Sequence, residues 1–164
     1  MRELTSADIR ASFVNASQGE AERVPLPGLH EVIWADREYL GWRDPQARQR
    51  GYLVFWKGDV AVGMVLRAAD SDLRSGIAAM CSLCHITQPG DQVTLFSAPR
   101  AGQAGRDGNS VGTYICSDLS CSHLIRILPP ANDMQPSPEE LVAKRSEGLL
   151  SRVDAFSSDV MRSA

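Results

Sequence analysis

Cys81-Ser82-Leu83-Cys84 is answered about thirty residues later by Cys116-Ser117-Asp118-Leu119-Ser120-Cys121, and these two stretches hold all four cysteines of the chain. Four thiolates with none left over suit one structural zinc. Zn²⁺ takes four soft ligands tetrahedrally at about 2.3 Å, and a C-x2-C knuckle offers two sulfurs to one metal without strain. Cys116 ends a strand-like run, Gly112-Thr113-Tyr114-Ile115-Cys116, and the pattern then predicts a helix from Ser117 or Asp118. On that helix Cys121, Leu124, Ile125 and Leu128 stand at i, i+3, i+4 and i+7 and share one face. Cys121 therefore points inward from the first turn, where the free amides and positive helix end offset the negative charge of a four-thiolate centre. Pro129-Pro130 closes the helix, because a proline disfavours helical geometry in the residue before it. A knuckle, a hairpin and a helix whose first turn supplies the last ligand describe a treble-clef finger.

Other uses of the cysteines fit less well. A disulfide framework is disfavoured because no signal peptide precedes the chain and 164 residues can bury a core without staples. A lone C-x-x-C can be a redox pair, but such motifs sit near a βαβ pattern and need no second pair. Catalytic zinc keeps a ligand position open, whereas four thiolates close the shell.

Composition narrows the class. With 43% hydrophobic and 23% charged residues the chain reads as an ordinary globular protein. The net charge of −3 argues against a general nucleic-acid binder, though not against a local basic patch. Fifteen of the 17 basic residues are arginine, only Lys57 and Lys144 being lysine, and a GC-rich genome is the plain explanation. No apolar run approaches the ~20 residues that span a bilayer. Reduced cysteines without an export signal lead to the expectation of a cytoplasmic protein.

Three portions of one compact domain are expected: a helix and β-hairpin over 1–70, the zinc-binding treble clef over 71–130, and a C-terminal helix over 131–164. Thr5 caps the first helix with Asp8 three residues on, and Leu4 and Ile9 take hydrophobic-staple positions. Ile9 and Phe13 mark its buried side to about Ala16, and Gly19 ends it. Gln18 to Pro27 reads as a connector, Leu29 to Tyr39 as a short helix, and Leu40 to Pro45 as a turn-rich stretch. Trp34 and Trp42 read as core plugs in preference to ligand platforms.

Tyr52–Trp56 and Val60–Leu66 form a hairpin about Lys57-Gly58-Asp59, with Gly63 suggesting a bulge. Arg67 to Arg74 is a polar connector, and Val93 to Ser97 a strand entered through Gly90-Asp91. Arg100 to Ser110 reads as a flexible loop joining the strands of the finger. Its glycines match no phosphate-binding fingerprint, and a sharper reading makes Arg100 and Arg106 contacts to a partner. After Pro129 the chain is irregular until Ser137, Pro138 and Glu140 write a helix start. Leu149, Val153, Phe156 and Val160 form its apolar stripe, whose use inside the domain is favoured over service to a partner helix.

No catalytic constellation emerges. His30, His85 and His123 are the only histidines. His85 and His123 lie close to zinc cysteines, but nothing supplies the His-Asn or His-His set of a treble-clef nuclease. The chain reads as a non-enzyme.

Met80-Cys81-Ser82-Leu83-Cys84, the Arg-Gly-rich loop, and Asn109 to Cys121 with its Val-Gly-x-Tyr-x-Cys approach resemble the elongation factor G-binding, FusB-like protein family. The opening Leu4 to Asn15 and Leu40-Gly41-Trp42-Arg43-Asp44-Pro45 resemble its short actinobacterial members. The resemblance implies a Zn²⁺-binding protein that docks on elongation factor G and promotes its release from the ribosome, with no membrane and no small-molecule substrate. In FusB-type members this rescues translation from fusidic acid. The family's metal ligands fall on Cys81, Cys84, Cys116 and Cys121. Its finger surface makes Phe96, Arg100, Arg106 and Tyr114 the candidate partner contacts. The chain is too short for the additional N-terminal helical bundle of longer FusB-type proteins, and Asn109 and Ser110 stand where a basic residue is expected. The reading of another class is an RNA- or ribosome-binding zinc module.

Overall fold

A computed structural model describes residues 1–70, 73–130 and 136–162. Two short helices, α1 (Ser6–Ser12) and α2 (Gln18–Glu22), open the chain, followed by 3₁₀ turns at Leu29–Glu31 and Trp34–Asp36. Strands β1 (Leu40–Arg43), β2 (Arg50–Lys57) and β3 (Val60–Ala68) come next, then a small ribbon of β4 (Ala78–Met80) and β5 (Thr87–Pro89). A 3₁₀ turn at Gly90–Gln92 leads to β6 (Val93–Pro99), helix α3 (Gly102–Arg106), β7 (Ser110–Cys116), the single turn α4 (Cys121–Leu124) and the long α5 (Pro138–Met161). The main sheet is antiparallel throughout, in the order β1-β2-β3-β6-β7. The fold is α+β, with a treble-clef module, antiparallel sheets and helices on both flanks.

Strand alternation gives the sheet two faces with different fates. One carries Leu53, Phe55, Met64, Leu66, Phe96 and Ile115, and these join the four cysteines and the α5 residues Leu149, Val153, Phe156 and Val160 in one buried core. Each such side chain contributes roughly 1.5–3 kcal/mol relative to exposure, so the α5 stripe is spent inside the protein. Ser137 caps α5 in a full capping box with Glu140, and Pro138 sits in its first turn, as the sequence predicts. The other face carries Leu40, Trp42, Tyr52 and Val54 under Leu4, Ile9 and Val24, with Trp34 packed at the margin. Trp42 is thus a core residue, and Trp34 is half-buried against that core.

The N-terminal elements depart from expectation in ways that bear on the surface. The first helix stops at Ser12, and Phe13 pairs with Gly63 in a parallel bridge, Val14 N–H donating to the Gly63 carbonyl at 2.9 Å. Gly63 is therefore no bulge. It pairs regularly with Val54, and a Cβ there would collide with Ser12 Oγ and stand 3.1 Å from Phe13 Cδ1. The expected connector from Gln18 instead begins with α2, which Ser17 and Glu20 start through a second capping box with Gly19 inside it. Leu29 to Tyr39 makes two 3₁₀ turns in place of a helix, and the turn-rich stretch at Leu40 supplies strand β1.

Further on, β3 runs through Arg67 to Ala68, and the 100–110 loop contains α3. Ser71 and Asp72 of the expected polar connector lie outside the described residues. So do residues 131–135 of the irregular stretch before α5. Among the described residues no helix is long and apolar enough to cross a membrane.

The covering of the second face is partial. Alternation places Leu95, Ser97, Gly112 and Tyr114 on the same side as Tyr52, Val65 and Arg67, the register running Arg67↔Ser97↔Gly112 and Leu95↔Tyr114. The N-terminal layer packs over β1, β2 and β3. On β6 and β7 this face is closed at the Val93–Cys116 pair beside the metal centre, but at the next pair along it Leu95 and Tyr114 are 39% and 41% exposed.

Candidate metal centre

Two short loops bring the four cysteines together. In the first, Leu83 N–H and Cys84 N–H turn back toward Cys81 Sγ at 3.3 and 3.5 Å, and His85 N–H donates to the Cys81 carbonyl at 2.9 Å with His85 at φ +58°. In the second, Leu119 N–H donates to the Cys116 carbonyl at 2.8 Å, and Leu119 is left-handed at φ +60°. Asp118 Oδ1 accepts from Ser120 N–H at 3.0 Å and Ser120 Oγ at 2.7 Å.

That turn corrects the predicted helix from Ser117 or Asp118. A left-handed residue cannot continue an α-helix, so α4 begins at Cys121 itself and lasts four residues, leaving Leu128 beyond it. So short a helix carries little dipole, and the amides aimed at sulfur do the work assigned to it.

The four Sγ atoms lie within 4.8 Å of one another, all four residues being buried. Cys81–Cys121 and Cys84–Cys116 are 3.6 Å apart and Cys116–Cys121 3.5 Å. Tetrahedral sulfurs at about 2.3 Å from one ion would stand about 3.8 Å apart, so the cluster is geometrically compatible with a structural Zn²⁺ site.

Its protons point the same way. Hydrogen bonds from Cys116, then Cys121, hold Cys81 and Cys84 below the ordinary thiol range. Cys121 is pushed well above it by Cys116, Cys81 and Cys84; at Cys116 the lowering pull of Cys121 is outweighed by Cys81 and Cys84. Without a cation the thiols divide their protons. A divalent ion is the charge that lets all four be thiolates together.

The surroundings hold the cluster on every side. Gln88 Nε2 donates to Cys116 Sγ at 3.2 Å, and Ser82 N–H donates to the Tyr114 carbonyl at 2.8 Å, fixing the knuckle to the edge of β7. Arg152 Nε donates to the Leu83 carbonyl and ties α5 to the same knuckle. Gly41 of β1 lets the Leu119 loop come close, since a Cβ there would lie 2.7 Å from the Leu119 carbonyl oxygen.

Tyr39 is fully buried, and among the described residues its hydroxyl finds no hydrogen bond of ordinary geometry. Burial first, then the thiols of Cys121, Cys116 and Cys81, raise its pKa well above the usual tyrosine value. A protonated phenol among sulfurs is a donor in want of an acceptor, which a metal-bound thiolate would be.

The predicted contact residues are dispersed. Phe96 is 0% exposed, its side chain in the core under α5. Arg100 donates through Nη1 to the carbonyls of Asp159 and Arg162 and so closes the end of α5. Arg106 is exposed on α3, where its Nε donates to Gln103 Oε1 at 3.0 Å. Tyr114 stands on the open part of the sheet face with Leu95, and Met80, at the end of β4 two residues before Ser82, is also exposed at 55%. Leu95 and Met80 escaped the sequence reading, though each alternates with an inward neighbour. Tyr39 and Gln88 gave no signal, because their partners lie far along the chain.

The family model described as "FBP C-terminal treble-clef zinc-finger" matches residues 8–160. The chain belongs to this family. The match runs from α1 to the last turn of α5, so the FBP unit is the sheet and its helices together with the finger. A family described as a zinc finger agrees with the non-enzymatic reading of the sequence. Among solved structures, the fusidic acid resistance protein FusC is similar in fold, with a TM-score of 0.54 at 15% identity, covering 88% of this chain and 54% of FusC. The chain thus spans about half the length of FusC. No curated protein matches it.

Proposed function

We propose that this FBP-family protein is a zinc-stabilised docking module that binds translation elongation factor G and promotes its release from the ribosome. Cys81, Cys84, Cys116 and Cys121 hold the zinc, and the ion serves to shape a surface. The observation that carries the reading is the Leu95–Tyr114 pair. It is an exposed aliphatic and aromatic pair on an uncovered sheet face, one backbone hydrogen bond from the knuckle at Ser82. Aromatic residues backed by rigid structure are the usual anchors of protein interfaces. Of the four contacts expected from the resemblance, Tyr114 and Arg106 are the exposed ones, which supports them as contacts. The fold shared with FusC supports elongation factor G as that partner.

The test is calorimetric titration of the zinc-loaded protein with elongation factor G at two salt concentrations. A one-to-one complex that is lost in Cys116→Ser, together with faster dissociation of the factor from ribosomes, is the expected result. Absence of binding by protein with full zinc content and intact fold would overturn the proposal.

A further inference from the structure

At the border of the open face, Arg50 and Arg67 are paired directly across β2 and β3. Like charges placed directly opposite in an antiparallel ladder destabilise it. Both residues are exposed, and neither forms an ion pair with an acid among the described residues. They line a cleft of about 600 Å³ to which Arg23, the residue that ends α2, also contributes. Glu20 is the one acid among its described lining residues; its carboxylate accepts from the Ser17 backbone N–H at 2.9 Å and from Ser17 Oγ at 2.7 Å, and the nearby charges of Arg50 and Arg23 also act on it, so it offsets part of their charge.

The cleft is rigid where it needs to be. Asn15 sits in its floor with its amide bonded to Val65 N–H, the Val65 carbonyl and the Pro99 carbonyl at 2.8 to 3.0 Å. Tyr52 lies beneath with its hydroxyl on Asp44 Oδ2 at 3.0 Å. In a chain of net charge −3, three arginines thus line a concavity whose size falls within the ~300–1,000 Å³ of small-ligand pockets.

We infer that the Arg23–Arg50–Arg67 cleft is a phosphate-binding site, distinct from the metal centre and from the Leu95–Tyr114 surface. Guanidinium forks match phosphate oxygens bidentately, and an anion seated between Arg50 and Arg67 turns their repulsion into two attractions. The phosphates come either from a free polyphosphate-bearing molecule or from an RNA backbone.

The experiment uses the zinc-loaded protein in phosphate-free buffer, with ionic strength held constant by NaCl so that plain screening is the same in every sample. Sodium tripolyphosphate and a single-stranded decamer RNA are titrated separately by calorimetry, and thermal midpoints are recorded with each. Saturable one-site binding is expected, weakened tenfold or more in Arg50→Gln and Arg67→Gln and unchanged in Lys144→Gln on α5. Binding of tripolyphosphate alone identifies a free ligand. Binding of the decamer, displaced by tripolyphosphate, identifies an RNA backbone.

Arg67→Glu gives a second readout, because it sets a carboxylate opposite Arg50. Its ligand-free midpoint should equal or exceed that of the wild type, and tripolyphosphate should no longer raise it. Failure of both ligands to bind the wild type, or equal binding by Arg67→Glu, would overturn the inference.

Discussion

Glu38 and Arg126 form a two-bonded ion pair, Nη1 to Oε2 at 3.0 Å and Nη2 to Oε1 at 2.9 Å, joining segments 88 residues apart in the chain. Glu38 also accepts from Ser146 Oγ at 2.6 Å, and its backbone N–H donates to Ser122 Oγ at 3.0 Å. One buried carboxylate thereby clasps the entry to β1, the α4 turn beside the metal centre, and α5. Truncating Glu38 leaves the Arg126 guanidinium only its longer contact with Asp36 Oδ1 at 3.6 Å. Glu38→Ala is expected to lower stability by about 3 kcal/mol, read from the urea midpoint, and a double-mutant cycle with Arg126→Ala should show strong coupling.

The same carboxylate sets an acid limit. Burial would raise the Glu38 pKa, but hydrogen bonds from Arg126, Ser146 and Ser122 outweigh it and hold the group below its ordinary 4.5. A lowered folded-state pKa gives stability that is fully present above the unfolded value and is lost as pH falls through the folded one. Stability should therefore decline below pH of about 4.5, and Glu38→Gln should flatten that decline. An unchanged acid slope in Glu38→Gln would assign the loss to other carboxylates.

Zinc removal should act on the core. The four cysteines belong to the same buried cluster as Phe96, Ile115 and the α5 stripe. Structural zinc contributes roughly 10–16 kcal/mol in small fingers, against a domain stability of about 5–15 kcal/mol. Chelation is expected to abolish the cooperative thermal transition, while metal analysis of the untreated protein gives one zinc per chain. Tyr39→Phe is the finer probe. If the phenol donates to the Cys121 thiolate, removing it should speed zinc transfer to a chromogenic chelator by about tenfold with little change in circular dichroism.

What the sequence made legible was whatever it encodes locally. The four cysteines, the Ser137–Glu140 capping box and the hairpin at Gly58-Asp59 are each complete within a few residues. The Ser17–Glu20 box was equally local, but the prolines at 25 and 27 drew the whole stretch into a connector. The helix expected from Ser117 failed because its stripe of Cys121, Leu124 and Ile125 is real while Leu119 is left-handed, a property no periodicity reveals. Phe96 and Leu95 show the remaining limit. Alternation says that they face opposite ways, but which way is inward depends on α5, whose packing residues lie some fifty positions further on.

Gly63 gives a test of the layer over the second face. Glycine in a strand interior ordinarily costs roughly 0.5–1 kcal/mol relative to alanine, so Gly63→Ala should stabilise if the position were only a paired strand residue. Here the added Cβ meets Ser12 Oγ and Phe13, and the α1 segment must move. A loss of about 1–3 kcal/mol is expected, measured by chemical denaturation. A gain would show that α1 sits further from the sheet.

The docking surface and the core can be separated at neighbouring positions. Phe96→Ala empties a fully buried ring site and should cost about 3–5 kcal/mol of stability. Tyr114→Ala, on the opposite face of the sheet and 41% exposed, should leave stability within about 0.5 kcal/mol of the wild type. If the open face is the interface, Tyr114→Ala should weaken elongation factor G binding by about thirtyfold, the scale of an interface hot spot, and Leu95→Ala by a smaller factor. Wild-type affinity in both variants, with zinc content unchanged, would move the interface off this face and leave Arg106 on α3 as the next position to test.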